Sequence, residues 1–155
     1  MNKKYYVISF AVTFMTAFLG SLASISAQSY YKHLVKPEWA PPPFVFGPVW
    51  SVLYVLMAIS GGIAISHAKD KGKPALWFLG QLFLNGLWSW AFFKWESGAG
   101  SILVIAGLWI SILFTMVSFW KISRPATWML VPYICWVTFA AALNFAIWRL
   151  NQGKL

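Results

Sequence analysis

The chain predicts an all-α integral membrane bundle of five transmembrane helices, and three observations carry that prediction. Its 155 residues are 60% hydrophobic and 10% charged, with a mean hydropathy of +0.68, which leaves too little polar surface to cover a water-soluble globule. The apolar residues fall into five runs at about 5–27, 46–66, 75–93, 100–120 and 127–148, each near the ~20 residues needed to cross roughly 30 Å of hydrocarbon. Eleven tryptophans lie mostly within or at the ends of those runs. An indole suits both a bilayer interface and the wall around a flat apolar ligand. One membrane domain, 1–155, is expected.

Charge narrows the functions open to such a chain. Its three acidic residues, Glu38, Asp70 and Glu96, all fall between spans. A carboxylate proton relay, or ion coupling gated by a carboxylate, therefore has no residues to work with. Conventional hydrolysis or group transfer is disfavoured too, because no acid, nucleophile and base are gathered in a span. The net charge of +9 is scattered among loops rather than arranged as a basic stripe, so it reads as contact with anionic lipid headgroups and not with nucleic acid. Lys3, Lys4, Lys69, Lys71, Lys73, Lys121 and Arg124 at one face outnumber Lys32, Lys36, Lys94, Arg149 and Lys154 at the other. That excess places the amino terminus inside. Short termini without an Arg-rich leader suit a bacterial cell membrane.

The first span follows Lys3 and Lys4 and ends near Ser24-Ile25-Ser26-Ala27, as a secretory signal does. Its length and the four-residue recurrence of Thr16, Gly20 and Ser24 favour a retained, packed helix. The loop 28–45 contains Lys36-Pro37-Glu38-Trp39-Ala40-Pro41-Pro42-Pro43-Phe44. Its prolines forbid a helix there, and its aromatic residues suit a lid folded over one mouth of the bundle, with a stiff connector as the alternative. On the second span Ala58, Gly62 and Ser66, and on the fourth Gly107, Ser111 and Thr115, form small-residue seams for helix packing or, alternatively, for a homodimer contact.

The third span carries Gln81, Asn85 and Ser89 at four-residue spacing, a polar stripe that must face protein or a cavity. The fifth carries Pro132, Trp136, Ala140, Asn144 and Trp148 in a similar row. Asn85 and Asn144 serve either as hydrogen bonds between helices or as ligand contacts, the second reading gaining from the nearby Trp50, Trp88, Trp90 and Phe139. Cys135 is the only cysteine, so no intrachain disulfide is available. Trp77, Trp95, Trp120, Trp128 and Trp148 read as interface anchors, while Trp90 and Trp109 stay open between lipid, core and cavity.

With these residues in view, the chain resembles the tryptophan-rich sensory protein and translocator protein family (TspO/MBR). The resemblance rests on Lys36-Pro37-Glu38-Trp39-Ala40-Pro41-Pro42, on Pro48-Val49-Trp50-Ser51-Val52-Leu53-Tyr54, and on Gly80-Gln81-Leu82-Phe83-Leu84-Asn85 followed by Trp88 and Phe92-Phe93. It extends through Leu130-Val131-Pro132-Tyr133-Ile134-Cys135-Trp136-Val137-Thr138-Phe139-Ala140 to Leu143-Asn144-Phe145-Ala146-Ile147-Trp148-Arg149. It covers roughly 36–149, with the first helix alike in character only. On the fourth helix Gly100 and Val104 stand where members carry a Trp and an Asp.

The resemblance implies a five-helix fold with a ligand cavity near the first loop. It also implies ligands: porphyrins such as haem and protoporphyrin IX, sterols such as cholesterol, and benzodiazepine-type drugs. Carried over, the binding residues would be Trp39, Trp50, Asn85, Trp88, Ser89, Trp136, Phe139 and Ala140. Trp50 and Trp136 would stack on a tetrapyrrole face, and Lys36 or His33 would meet its carboxylates. The family's sterol motif survives as Leu143, Phe145 and Arg149, with Phe145 in place of tyrosine. No cofactor is required, since porphyrin or haem enters as ligand, and no metal site is called for; His33 and His67 read as solvated, with haem ligation the alternative. Beyond binding, a sensory, regulatory or transport role fits the same residues. The alternative is light- and oxygen-dependent breakdown of bound porphyrin, with Trp50 and Trp136 as the candidate electron donors.

Overall fold

The computed structural model describes residues 3–25 and 27–153; Ser26 of the signal-like stretch and Lys154 of the basic count lie outside them. Seven α-helices follow one another among the described residues: α1 (Lys3–Ala23), α2 (Ala27–His33), α3 (Phe46–His67), α4 (Gly72–Ser89), α5 (Gly98–Trp120), α6 (Arg124–Trp128) and α7 (Val131–Leu150). A 3-10 turn at Pro43–Val45 precedes α3, and a π-helical stretch at Trp90–Lys94 continues α4. No strand occurs among them.

Lys3–Ala23, Pro43–His67, Gly98–Trp120 and Arg124–Leu150 are each long and apolar enough to cross a membrane. The expected third span is helical but less apolar, because α4 carries Lys73, Gln81 and Asn85. It packs between α1 and α5, so Gln81 and Asn85 meet protein.

Three boundaries differ from expectation. The first span ends at Ala23 rather than 27, and the chain restarts as α2 inside the expected loop. Nothing from Gln28 to His33 forbids a helix, since the first proline is Pro37, and Tyr31 and Leu34, three residues apart, are both buried. The last expected span is broken between α6 and α7. Pro132, in the first turn of α7, lacks the N–H that an unbroken helix would need there.

In lipid, helices gain little from hydrophobic burial against one another and associate by close packing and hydrogen bonds. Both are visible where α1 meets α3. A Cβ on Gly61 would fall 2.5 Å from Ser9 Oγ, and one on Gly62 would fall 2.7 Å from the Tyr6 ring. Ser9 Oγ donates to the Ala58 carbonyl across this contact (2.8 Å). The other seam is also used within the chain, with Ser111 of α5 lying against Gly80 of α4. Both tryptophans left open by the sequence tie helices together: Trp109 Nε1 donates to Thr138 Oγ1 (2.8 Å) and Trp90 Nε1 to the Leu19 carbonyl (3.2 Å).

The two ends of the bundle differ. Around Met57, Phe78 and Phe119, toward the end bearing His67 and Arg124, the interior is filled. Toward the first loop, α3 and α7 touch only sparsely and the interior is hollow.

Candidate functional site

The hollow is a cavity of about 300 Å³ lined by α1, α2, α3, α4 and α7 together with the first loop, at the lower end of the ~300–1,000 Å³ usual for small-molecule sites. α7 contributes Ala140, Leu143, Asn144 and Ile147, a helical face at i, i+3, i+4 and i+7. α3 contributes Phe46, Gly47, Trp50 and Tyr54, and α4 contributes Trp88 and Ser89. The π-helical stretch, in which Trp95 N bonds to the Trp90 carbonyl (2.9 Å), adds Phe92 and Phe93. α1 adds Ala17, Gly20, Ser21 and Ser24, small residues that leave room. α5 contributes none of the lining residues, so the departures at Gly100 and Val104 do not touch the wall.

Rings dominate the lining. Trp50 and Trp88 lie 6.3 Å apart between centroids at an interplanar angle of 31°, and Trp88 stacks on Phe92 at 5.8 Å. The polar atoms near them are mostly engaged with one another. Trp88 Nε1 donates to Asn144 Oδ1 (2.9 Å), and Asn144 Nδ2 donates to Ser101 Oγ (3.0 Å). Behind the wall, Tyr54 Oη donates to Asn85 Oδ1 (2.7 Å), Asn85 Nδ2 donates to Tyr133 Oη (3.0 Å), and Tyr133 Oη donates to Gln81 Oε1 (2.9 Å). Both asparagines thus bond between helices. Asn144 also faces the cavity, whereas Asn85 reaches it only through Tyr54.

Of the residues expected at the site, the structure brings Trp50, Trp88, Ser89 and Ala140 together around the cavity. It places Trp136 and Phe139 elsewhere, in a more open apolar groove between α3 and α7 shared with Val52 and Cys135. Trp39, 51% exposed, packs edge-on against Phe139 at 5.8 Å. Phe46 joins the two regions, lining the cavity and meeting Trp136 at 5.9 Å. The sterol-motif residues do not share a face: Leu143 lines the cavity, Phe145 is 49% exposed and Arg149 is exposed. Tyr54, Phe92, Phe93, Ile147 and the α1 residues were not in the expected set, while Leu143 had entered only through the sterol motif and Asn144 only as one of two alternatives. Tyr54, one turn after Trp50, and Leu143 and Ile147, on the face of Ala140, carried a helical-spacing signal that could have found them.

The first loop reaches the mouth through Tyr31 and Pro43. Lys36 Nζ donates to the carbonyls of Tyr31 (2.7 Å) and Leu34 (3.0 Å), which leaves one of its three ammonium hydrogens for a ligand. His33 Nδ1 lies 2.6 Å from the Ser29 carbonyl, and His67 Nδ1 lies 2.8 Å from the Ile63 carbonyl. The whole length of α3, about 33 Å at 1.5 Å per residue, separates the two ends on which these histidines sit, so they cannot share one iron. Tyr30, half-buried edge-on against Phe92, has its phenol pushed up to about 12 by burial and then by the Glu96 carboxylate.

Fold and cavity define a multi-pass helical membrane protein with a lined aromatic hollow beneath its first loop. The chain belongs to the TspO/MBR family, whose model matches residues 8–149. It is 41% identical over 151 residues to Protein CrtK of Rhodobacter capsulatus, covering 94% of both chains. It is 38% identical over 157 residues to the Tryptophan-rich protein TspO of Chlorobaculum tepidum, covering 97% of this chain and 99% of that one. It is also similar to the human Translocator protein, at 30% identity over 128 residues, 80% of this chain and 76% of the relative. It is an integral multi-pass membrane protein.

Proposed function

We propose that the protein is a five-span membrane receptor for porphyrins and related flat apolar ligands such as sterols or benzodiazepine-type drugs, with α4 and its π-helical extension as the fifth span. The observation that carries this reading is the cavity itself, with Trp50, Trp88, Phe92 and Phe93 lining one partly open hollow. Stacked or edge-on rings of this kind suit an aromatic plane. The ligand's carboxylates would stay at the mouth, where Lys36 keeps a free N–H, because no cation lies among the lining residues. Names among the relatives, sensory protein and translocator protein, support a role in which occupancy is signalled or the ligand is moved.

Ala140→Phe tests the site by filling it. Fluorescence titration with protoporphyrin IX should show affinity falling by about 10-fold or more while the thermal midpoint holds within a few degrees; unchanged affinity would place the ligand elsewhere.

A second reading, light- and oxygen-dependent breakdown of bound porphyrin, is favoured by one observation. Trp50 is in ring contact with Tyr54, Trp88 and Tyr133, a cluster able to pass an electron to an excited ligand and share the resulting hole. Illumination of the complex should then bleach the porphyrin faster than in empty micelles, and Trp50→Phe should slow the bleaching. Equal rates in all three samples would remove the reading.

A further inference from the structure

The loop across the cavity mouth is hydrogen-bonded largely within itself. Lys36 closes it on the Tyr31 and Leu34 carbonyls, Tyr31 Oη reaches the Pro41 carbonyl at 3.5 Å, and Ala40 N bonds to the Pro37 carbonyl at 3.0 Å. Its ring contacts to the bundle, Tyr30 on Phe92, Tyr31 on Phe46 and Trp39 on Phe139, fix distance but little register. Among the described residues, the hydrogen bonds tying residues 29–42 to the spanning helices converge on one side chain, Asn151, just past the end of α7.

Val35 N donates to Asn151 Oδ1 (3.0 Å), and Asn151 Nδ2 donates both to the Val35 carbonyl (2.8 Å) and to the Ile147 carbonyl (2.7 Å). Asn151 is 2% exposed, so water does not compete freely for these bonds. Only one orientation of the amide satisfies all three, since turning it over would face N–H against N–H and oxygen against two carbonyls. The same carboxamide therefore grips the loop at Val35 and α7 at Ile147, and Ile147 lines the cavity.

We propose that Asn151 is the latch of the loop, a positioning residue that sets how long a ligand stays in the cavity. It is not itself a lining residue and acts by holding Val35, and with it Tyr31 and Pro43, across the mouth. Release of the two bonds to Val35 frees the loop to swing while leaving the aromatic wall intact. Entry and exit should both quicken, and equilibrium affinity should change less than either rate. The inference rests on the cavity being the ligand site, so its test includes a measurement made without ligand.

Two variants of the full chain in detergent micelles, Asn151→Leu and Asn151→Ser, provide it. Leucine keeps the volume and removes every bond; serine keeps a hydroxyl for the Ile147 carbonyl but cannot span both Val35 groups, and supplies the measurement if the leucine variant does not fold. Deuterium exchange at the Val35 amide in ligand-free protein, and dissociation of protoporphyrin IX, should each accelerate by about 10-fold to 100-fold, the range spanned by losing two hydrogen bonds. Unchanged exchange would show that the clamp does not hold the loop. Faster exchange with unchanged dissociation would overturn the latch while leaving the cavity reading intact. Failure of the wild type to bind protoporphyrin IX would overturn the cavity reading and the latch's role in residence with it, and exchange at Val35 would still decide whether the clamp exists.

Discussion

Two aromatic clusters lie within a few ångströms of each other, joined by Phe46, and they are built differently. The inner one, Trp50, Trp88, Phe92 and Phe93, lines a partly open hollow, and the indole N–H of Trp88 is fixed by Asn144, which Ser101 fixes in turn. The outer one, Trp39, Trp136 and Phe139, lies along an open groove, and Trp136 Nε1 is buried without a hydrogen-bond partner. Trp88, at the centre of the inner cluster, is thus held in orientation by a polar network, while the outer rings are held by shape alone. Preorganised walls lose less on binding, which favours the inner cluster as the proposed ligand site.

The sharpest way to break this contrast is to remove one large ring from each cluster. Trp88 is 6% exposed, so Trp88→Ala should cost about 3–5 kcal/mol of stability, as for other buried aromatic deletions. Trp136→Ala, in a half-buried ring with no bond to lose, should cost less than half as much. Thermal or denaturant unfolding in micelles checks both, and equal costs would erase the distinction. A smaller effect should follow from Asn144→Leu, which leaves the Trp88 N–H unpaired. About 1–2 kcal/mol is expected, near the upper end for hydrogen bonds between membrane helices, together with weaker porphyrin binding, whereas Thr138→Val, whose hydroxyl meets Trp109 of α5, should leave binding unchanged.

The smallest effect concerns the edge of the inner cluster, where Tyr30 packs on Phe92. Because the folded chain holds the Tyr30 proton more tightly than the unfolded chain, its contribution to stability is fully present below about pH 10 and is lost as pH rises toward about 12. Phenolate absorbance during alkaline titration should show Tyr30 ionising last among the loop tyrosines that respond, and Glu96→Gln should bring its titration down. An ordinary titration of Tyr30 would mean that the loop does not cover Phe92.

Much of this architecture was legible in the sequence because membrane helices declare themselves by length and apolarity, and because small residues mark where they touch. The inward stripe of α4 was legible as well, with Gln81 and Asn85 in the core and Ser89 at the cavity. The row Pro132, Trp136, Ala140, Asn144 misled in a definite way. Steps of four residues overshoot a 3.6-residue turn by about 40° each, so the row winds from the outer groove at Pro132 and Trp136 to the cavity at Ala140 and Asn144. The cavity face is instead Ala140, Leu143, Asn144 and Ile147. Helix α2 was hidden by the proline-rich stretch that follows it, and the π-helical turn that delivers Phe92 and Phe93 leaves no periodic mark. Asn151 was beyond reach, because its partner is the backbone of a residue 116 positions away.

The central claim is that the inner cluster, and not the outer one, receives the ligand. Parallel titration of protoporphyrin IX into Trp50→Ala and Trp136→Ala tests it most directly. Trp50→Ala should lose about 30-fold or more in affinity, the scale of a central aromatic contact, while Trp136→Ala stays within about 3-fold of the wild type. Equal losses, or a greater loss at Trp136, would contradict the account.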